Sequence, residues 1–203
     1  MVATSLFLFV VTVAQAQEKK EWTWKDRDGR TRTQADLEEL LRKHELWLQS
    51  GGALGARADL GFADLSGVHL VARNLSEAKL VRTNLTEAYL PMVNFSRADL
   101  NAASVRGTFL SQANLSKAEL TSADLGFAEL ARANLSDTYL SRTNLNGARL
   151  ERADLRGAIY EAKSNPEIRE IAAAKNLELM TYKESPHALF QLRQQFHEAG
   201  FLQ

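Results

Sequence analysis

A large aliphatic or aromatic residue occupies every fifth position from Leu60 to Leu155, with no break in phase. Leu fills eighteen of these twenty centres, and Phe95 and Val105 fill the other two. Two residues before each centre stands Ala thirteen times, Thr four times, Val twice and, once, Arg73. A helix repeats about every 3.6 residues and a strand about every 2, so neither holds this row on one face. A period of five instead requires a solenoid, in which each coil buries its neighbours.

A longer period lies inside the short one. Asn-x-Ser recurs at Asn74, Asn94, Asn114 and Asn134, each 20 residues from the last, and Asp154 continues the column. Four pentapeptides therefore make one turn, and the cross-section is square. Five such coils at about 4.8 Å each give a rod of roughly 24 Å. The centre and the residue two before it point inward, and the small inward Ala marks a corner where two backbone segments meet closely. The other three positions carry Asp, Asn, Ser, Arg, Glu and Gly, which water selects. Asparagines in register can hydrogen-bond along their column, and this chemistry accounts for the Asn-x-Ser triplets without glycosylation.

These residues resemble the pentapeptide-repeat family, with Ala58-Asp-Leu60, Ala98-Asp-Leu100, Ala113-Asn-Leu115 and Ala153-Asp-Leu155 as typical triplets. The resemblance implies a right-handed quadrilateral β-helix, here an all-β solenoid with helical caps, about five coils long, over residues 58–160. The flanks at His44–Trp47 and Leu192–Gly200 look like segments that accompany bacterial members. Arg73 departs from the pattern, because Arg does not fit a small inward site. The expectation there is a local bulge, with Ala72 turned in instead.

Around the repeat, residues 1–16 read as a signal peptide: a short apolar run, Leu6–Val13, precedes Ala14-Gln-Ala16, and cleavage after Ala16 implies a periplasmic or secreted protein, the alternative being an uncleaved anchor or buried apolar arm and a cytoplasmic location. The run is too short to cross a bilayer, which needs about 20 apolar residues, so no membrane span is expected. Residues 17–33 form a hairpin-like segment, with Asp26-Arg-Asp-Gly29 as its turn rather than a calcium loop. Residues 34–50 form a capping helix opened by Thr33 and Asp36 and stopped at Ser50-Gly51-Gly52. It covers the apolar end of the first coil, with Trp47 in the seal. Residues 164–203 form a C-terminal cap of two short helices, opened at Asn165-Pro166 and Ser185-Pro186.

The sequence argues against catalysis. The four histidines, His44, His69, His187 and His197, lie in different segments without metal-ligand spacing, and no Gly-rich phosphate loop is present. No catalytic, cofactor or metal residues are assigned. There is no cysteine, which excludes thiol chemistry. Lys plus Arg and Asp plus Glu both number 25, so nucleic acid is not an expected partner. The family resemblance also suggests a duplex-DNA mimic that protects type II topoisomerases, but the balanced coils and the leader both disfavour it.

What remains is a surface. His69, Tyr89, Phe109, Glu129 and Arg149 fall 20 residues apart in one outward column, with Val71, Pro91 and Met92 beside it. His69, Val71, Tyr89, Pro91, Met92 and Phe109 are the candidate patch for a protein partner. The function expected is therefore an exported, non-catalytic interaction scaffold. The alternatives are a structural spacer or the soluble arm of a longer envelope protein.

Overall fold

The computed structural model describes residues 21–161 and 181–182. The expected signal peptide and the two C-terminal helices lie outside these residues. Within them, every pentapeptide is one side and one corner of a square coil. The centre and the residue two before it are buried, the residue between them bridges the adjacent coils, and the next two form a turn.

The turn carries a positive φ at its second residue, as at Phe62 (64°), Arg97 (58°) and Arg152 (61°). It closes on a hydrogen bond such as Ala98 N–H to the Phe95 carbonyl, 2.9 Å. Type II turns favour Gly at that place, yet sixteen non-glycine residues adopt the conformation here. The inter-coil ladder imposes it. In the unit centred on Leu80, the N–H of Leu80 donates to the Asp99 carbonyl (2.7 Å) and that of Arg82 to Asn101 (2.9 Å). From the coil above, Asp99 N–H returns to the Ala78 carbonyl at 2.9 Å.

One N–H per unit, on the first turn residue, is left over, and in just over half of the units a side chain takes it. The Asn or Asp just before the centre accepts it, as in Ser96 N–H to Asn94 Oδ1 (3.0 Å) and Gly126 N–H to Asp124 Oδ1 (2.9 Å). This explains why Asn and Asp are written into the repeat at that place: they cap the next turn. Along the column, Asn94 donates to Asn74 (3.0 Å) and Asn114 to Asn94 (3.1 Å), tying coil to coil.

Parallel bridges link residues 20 apart in four columns, here called faces A to D: A begins at Asp59, B at Asp64, C at His69 and D at Asn74. The interior is a stack of Leu layers separated by Ala, nearly all of them solvent-free. Burying each Leu contributes about 1.5–3 kcal/mol. Four inward Thr residues satisfy their hydroxyls on backbone carbonyls, as Thr108 Oγ1 does on Leu85 O at 2.7 Å.

The first coil has an open edge, and two elements cover it. Strands β1 (Thr23–Lys25) and β2 (Thr31–Thr33) form an antiparallel hairpin. Its Lys25 exchanges backbone hydrogen bonds with Asp64, adding an antiparallel strand to face B. Helix α1 (Gln34–Gln49) starts on a reciprocal Thr33–Asp36 capping box and buries Leu37, Leu41 and His44. At the far end, β3 (Tyr139–Ser141), β4 (Ile159–Glu161) and β5 (Thr181–Tyr182) continue face A in parallel register.

The bulge expected at Arg73 does not form. Ala72 stays exposed at φ 53°, Leu75 remains buried, and Asn74 pairs with Asn94 in register. Arg73 leaves the interior by its side chain alone and meets Glu38 of α1 at 2.6 Å. This is possible only in the first coil, where the helix rather than another coil lies alongside.

Candidate interaction face

Faces B and D place Asn or Asp before the centre at nine of ten positions, and all nine cap the following turn. Face C does so nowhere. Its column reads His69, Tyr89, Phe109, Glu129, Arg149, bridged in that order. A turn cap of this kind contributes about 0.5–1.5 kcal/mol net, and face C forgoes it in coil after coil. After Tyr89, Pro91 removes the N–H that would need capping, and its fixed φ suits the first turn position. Glu151 instead folds back: its own backbone N–H, then the Arg149 guanidinium, hold its carboxyl below the usual range.

The geometry of the patch follows. The His69 and Tyr89 rings lie 5.5 Å apart and tilted by 38°, and Tyr89 and Phe109 lie 5.8 Å apart at 52°. Such pairs add about 0.5–1.5 kcal/mol each, so stacking offsets part of the lost capping. It does not account for the corner beside the column. There Val71 (47% exposed) and Met92 (49%) face solvent beside Tyr89 (43%) and Phe109 (47%). Pro91 is half-buried and His69 exposed. The column then changes character. Arg149 sits between Glu129 (3.3 Å) and Glu151 (3.1 Å), an ion-paired stretch below the rings.

Phe127 borders face C on its other side, and the periodic reading overlooked it. It occupies a second turn position, two residues before Glu129, on the corner between faces B and C, and is exposed. Its ring lies between the Arg106 guanidinium, 4.5 Å away, and the bare Cα of Gly147. The available signal was a Phe between two glycines in its own column, Gly107 and Gly147. Phe62 has a related arrangement with Arg82, 5.7 Å away, on the neighbouring corner between faces A and B.

A concavity of about 670 Å³ lies between the hairpin, α1 and the first coil. Its charges are engaged with one another: Arg32 with Asp26 (2.9 Å), Arg30 with Asp28 (2.9 Å) and Arg27 with Asp59 (3.6 Å). The Arg42 guanidinium holds the Glu39 carboxyl down to about 2, and the Thr33 backbone and hydroxyl hold Asp36 below its ordinary value. Carboxylates so stabilised are weak proton acceptors. Asp26 spends one oxygen on the N–H groups of Asp28 and Arg30, which is turn chemistry. Nearby, His44 is buried, accepts the Ala58 N–H at Nδ1 (3.1 Å) and stacks on Trp47, 5.9 Å away. That arrangement closes the cap. Among the described residues no helix is long and apolar enough to cross a membrane.

The model for pentapeptide repeats matches in eight copies, at residues 56–90, 74–107, 94–126 and 118–157. No curated protein matches. Among solved structures, the chain is similar to a pentapeptide repeat protein of the Arabidopsis thaliana thylakoid lumen, at 24% identity and a TM-score of 0.40. That match covers 57% of this chain and 74% of the other. It is also similar to HetL of the cyanobacterium Nostoc sp. strain PCC 7120, involved in heterocyst differentiation regulation. There the identity is 26%, the TM-score 0.38, and coverage 63% of this chain and 70% of HetL. QnrB1, a plasmid-mediated fluoroquinolone resistance protein, matches at 16% identity and a TM-score of 0.31, covering 70% and 85%.

Proposed function

The chain belongs to the pentapeptide repeat family, and on that footing we propose that it is an exported, non-catalytic scaffold that presents face C to a protein partner. Membership brings the family's fold, the right-handed quadrilateral β-helix, and about five coils account for the repeat. The observation that carries the reading is that turn-capping Asn and Asp are missing from face C in every coil, whereas faces B and D keep them and face A keeps two, Asp59 and Asp99. In their place stand His69, Tyr89 and Phe109, with Val71, Pro91 and Met92 alongside. A scaffold optimised only for stability would keep the caps, as faces B and D do. Catalysis finds no support in the paired carboxylates of the cleft, and the apolar run before Ala16 supports export.

The test is a double substitution. Tyr89→Ala with Phe109→Ala abolishes capture of the partner while thermal stability stays close to that of the parent. Loss of binding and stability together would instead assign the rings to holding the ladder, the role of a structural spacer. Export is checked by fractionation and amino-terminal sequencing of the mature protein, with a periplasmic species starting at Gln17 as the expected result.

A further inference from the structure

The face C surface has a direction, and we infer that it binds an extended peptide segment with apolar side chains at one end and carboxylates at the other. The inference rests on the proposal above and specifies the partner's chemistry. The corner between faces C and D carries, coil by coil, Ala72, Met92, Gln112, Arg132 and Arg152 at the second turn position. Its upper part adjoins Tyr89 and Phe109 and is apolar. Its lower part presents two exposed guanidinium groups in one column.

Most arginines among the described residues are occupied. Arg27, Arg30, Arg32, Arg42, Arg73, Arg97, Arg149 and Arg156 make ion pairs, Arg57 donates to the Glu77 carbonyl, and Arg82 and Arg106 lie over rings. Arg132, Arg142 and Arg152 have no such partner, and Arg142 stands on the opposite corner. Of the carboxylates close to them in sequence, Glu129 and Glu151 pair with Arg149 and Asp154 with Arg156. Two like charges stacked on consecutive coils repel one another unless an anion lies between them. A carboxylate pair suits them, because the planar guanidinium accepts two oxygens at once.

The dimensions also fit. From Val71 to Arg152 is four coil steps of about 4.8 Å, roughly 19 Å in all, the span of about six residues of extended chain. A helix spanning the same distance needs about 13 residues at about 1.5 Å each, is marginally stable alone, and turns only every third or fourth side chain towards the rod. The segment therefore runs along the rod axis, apolar end towards α1.

The probe is a fluorescein-labelled synthetic hexapeptide, Leu-Val-Leu-Ser-Glu-Glu, with matched versions ending in Lys-Lys and Gln-Gln, titrated against the chain by anisotropy in low salt. The expected order is Glu over Gln over Lys, with at least a tenfold gap between the extremes. Arg132→Glu with Arg152→Glu should invert that order, since both sites are exposed turn positions outside the core. Equal affinity for all three tails, with binding still lost in Tyr89→Ala/Phe109→Ala, overturns the directed, acidic partner but leaves the face C reading standing. Binding of the acidic peptide that ignores Tyr89→Ala/Phe109→Ala, or no binding by any peptide at millimolar concentration, overturns both.

Discussion

Gly107 and Gly147 occupy the same column, one coil on either side of Phe127, and they make a controlled pair. Both have positive φ, 63° and 72°. An Ala at Gly107 would find Glu87 Cγ at 3.7 Å as its nearest neighbour, which is ordinary contact. Its cost is the left-handed conformation, about 1–2 kcal/mol, reduced by about 0.4–1 kcal/mol through the stiffer unfolded chain. Gly107→Ala therefore costs about 0.5–1 kcal/mol. At Gly147 the same methyl would stand 2.6 Å and 2.7 Å from two carbons of the Phe127 ring, where about 3.5–4.0 Å is comfortable. The ring is 56% exposed and can swing out, which caps the penalty. Swinging forfeits its stack on Arg106, about 0.5–1 kcal/mol at an exposed site, and its contact with the coil. Gly147→Ala should therefore cost about 1 kcal/mol more than Gly107→Ala. Urea denaturation followed by circular dichroism, at unchanged m-value, measures both. In a Phe127→Ala background the excess should vanish. Equal costs for the two glycines, or an excess that survives removal of the ring, would refute the reasoning.

Two further outcomes are expected. Thr108→Val keeps the shape of the buried site but deletes the hydrogen bond to Leu85 O, so urea denaturation should register a loss of about 1 kcal/mol, and a gain in stability would contradict that role. Burial first, and Arg57 beside it, lower the pKa of His44, while the Ser76 backbone and Glu77 oppose the shift. A depressed histidine contributes stability that is whole above the unfolded pKa of about 6.5 and declines as pH falls below it towards the folded value. The denaturation midpoint should therefore drop between neutral pH and mildly acidic pH, and His44→Asn should flatten that dependence; an unchanged slope in the variant would assign the titration elsewhere.

The legibility of this chain varies by position within the repeat. The inward rows, the 20-residue columns and the square section follow from periodicity, because a parallel ladder with fixed offset leaves the chain no other register. Thr33 and Asp36 announced the start of α1 for an equally local reason, a reciprocal pair of hydrogen bonds. Arg73 was misread because its solution is not local. The sequence says only that Arg does not fit inside, and whether the backbone bulges or the side chain swings out depends on Glu38, 35 residues away and on a different element. Phe127 was overlooked for a related reason. Second turn positions carry Arg, Glu, Gly or Lys so freely that a single Phe there gives no periodic signal, and only contact with Arg106 and Gly147 gives it a place. The column His69, Tyr89, Phe109 was legible, but the reason it is unusual was not. That required seeing that Asn and Asp elsewhere cap turns.

That capping rule also limits what kind of site this fold can carry. The two inward positions are fixed by packing, and the position before the centre is largely fixed by the turn N–H it must satisfy. Only the two turn residues vary freely, together with the pre-central position on a face that gives up its caps. Variable residues on one face or corner therefore lie in lines parallel to the rod axis, spaced by the ladder at about 4.8 Å. A site made this way is a stripe, convex and without a floor, and it cannot enclose a small molecule or exclude water from a reacting bond. Its natural complement is a chain laid along it, reading side chains in sequence. Face C meets both conditions at once, with the caps surrendered along its length and the freed positions graded from rings to arginines.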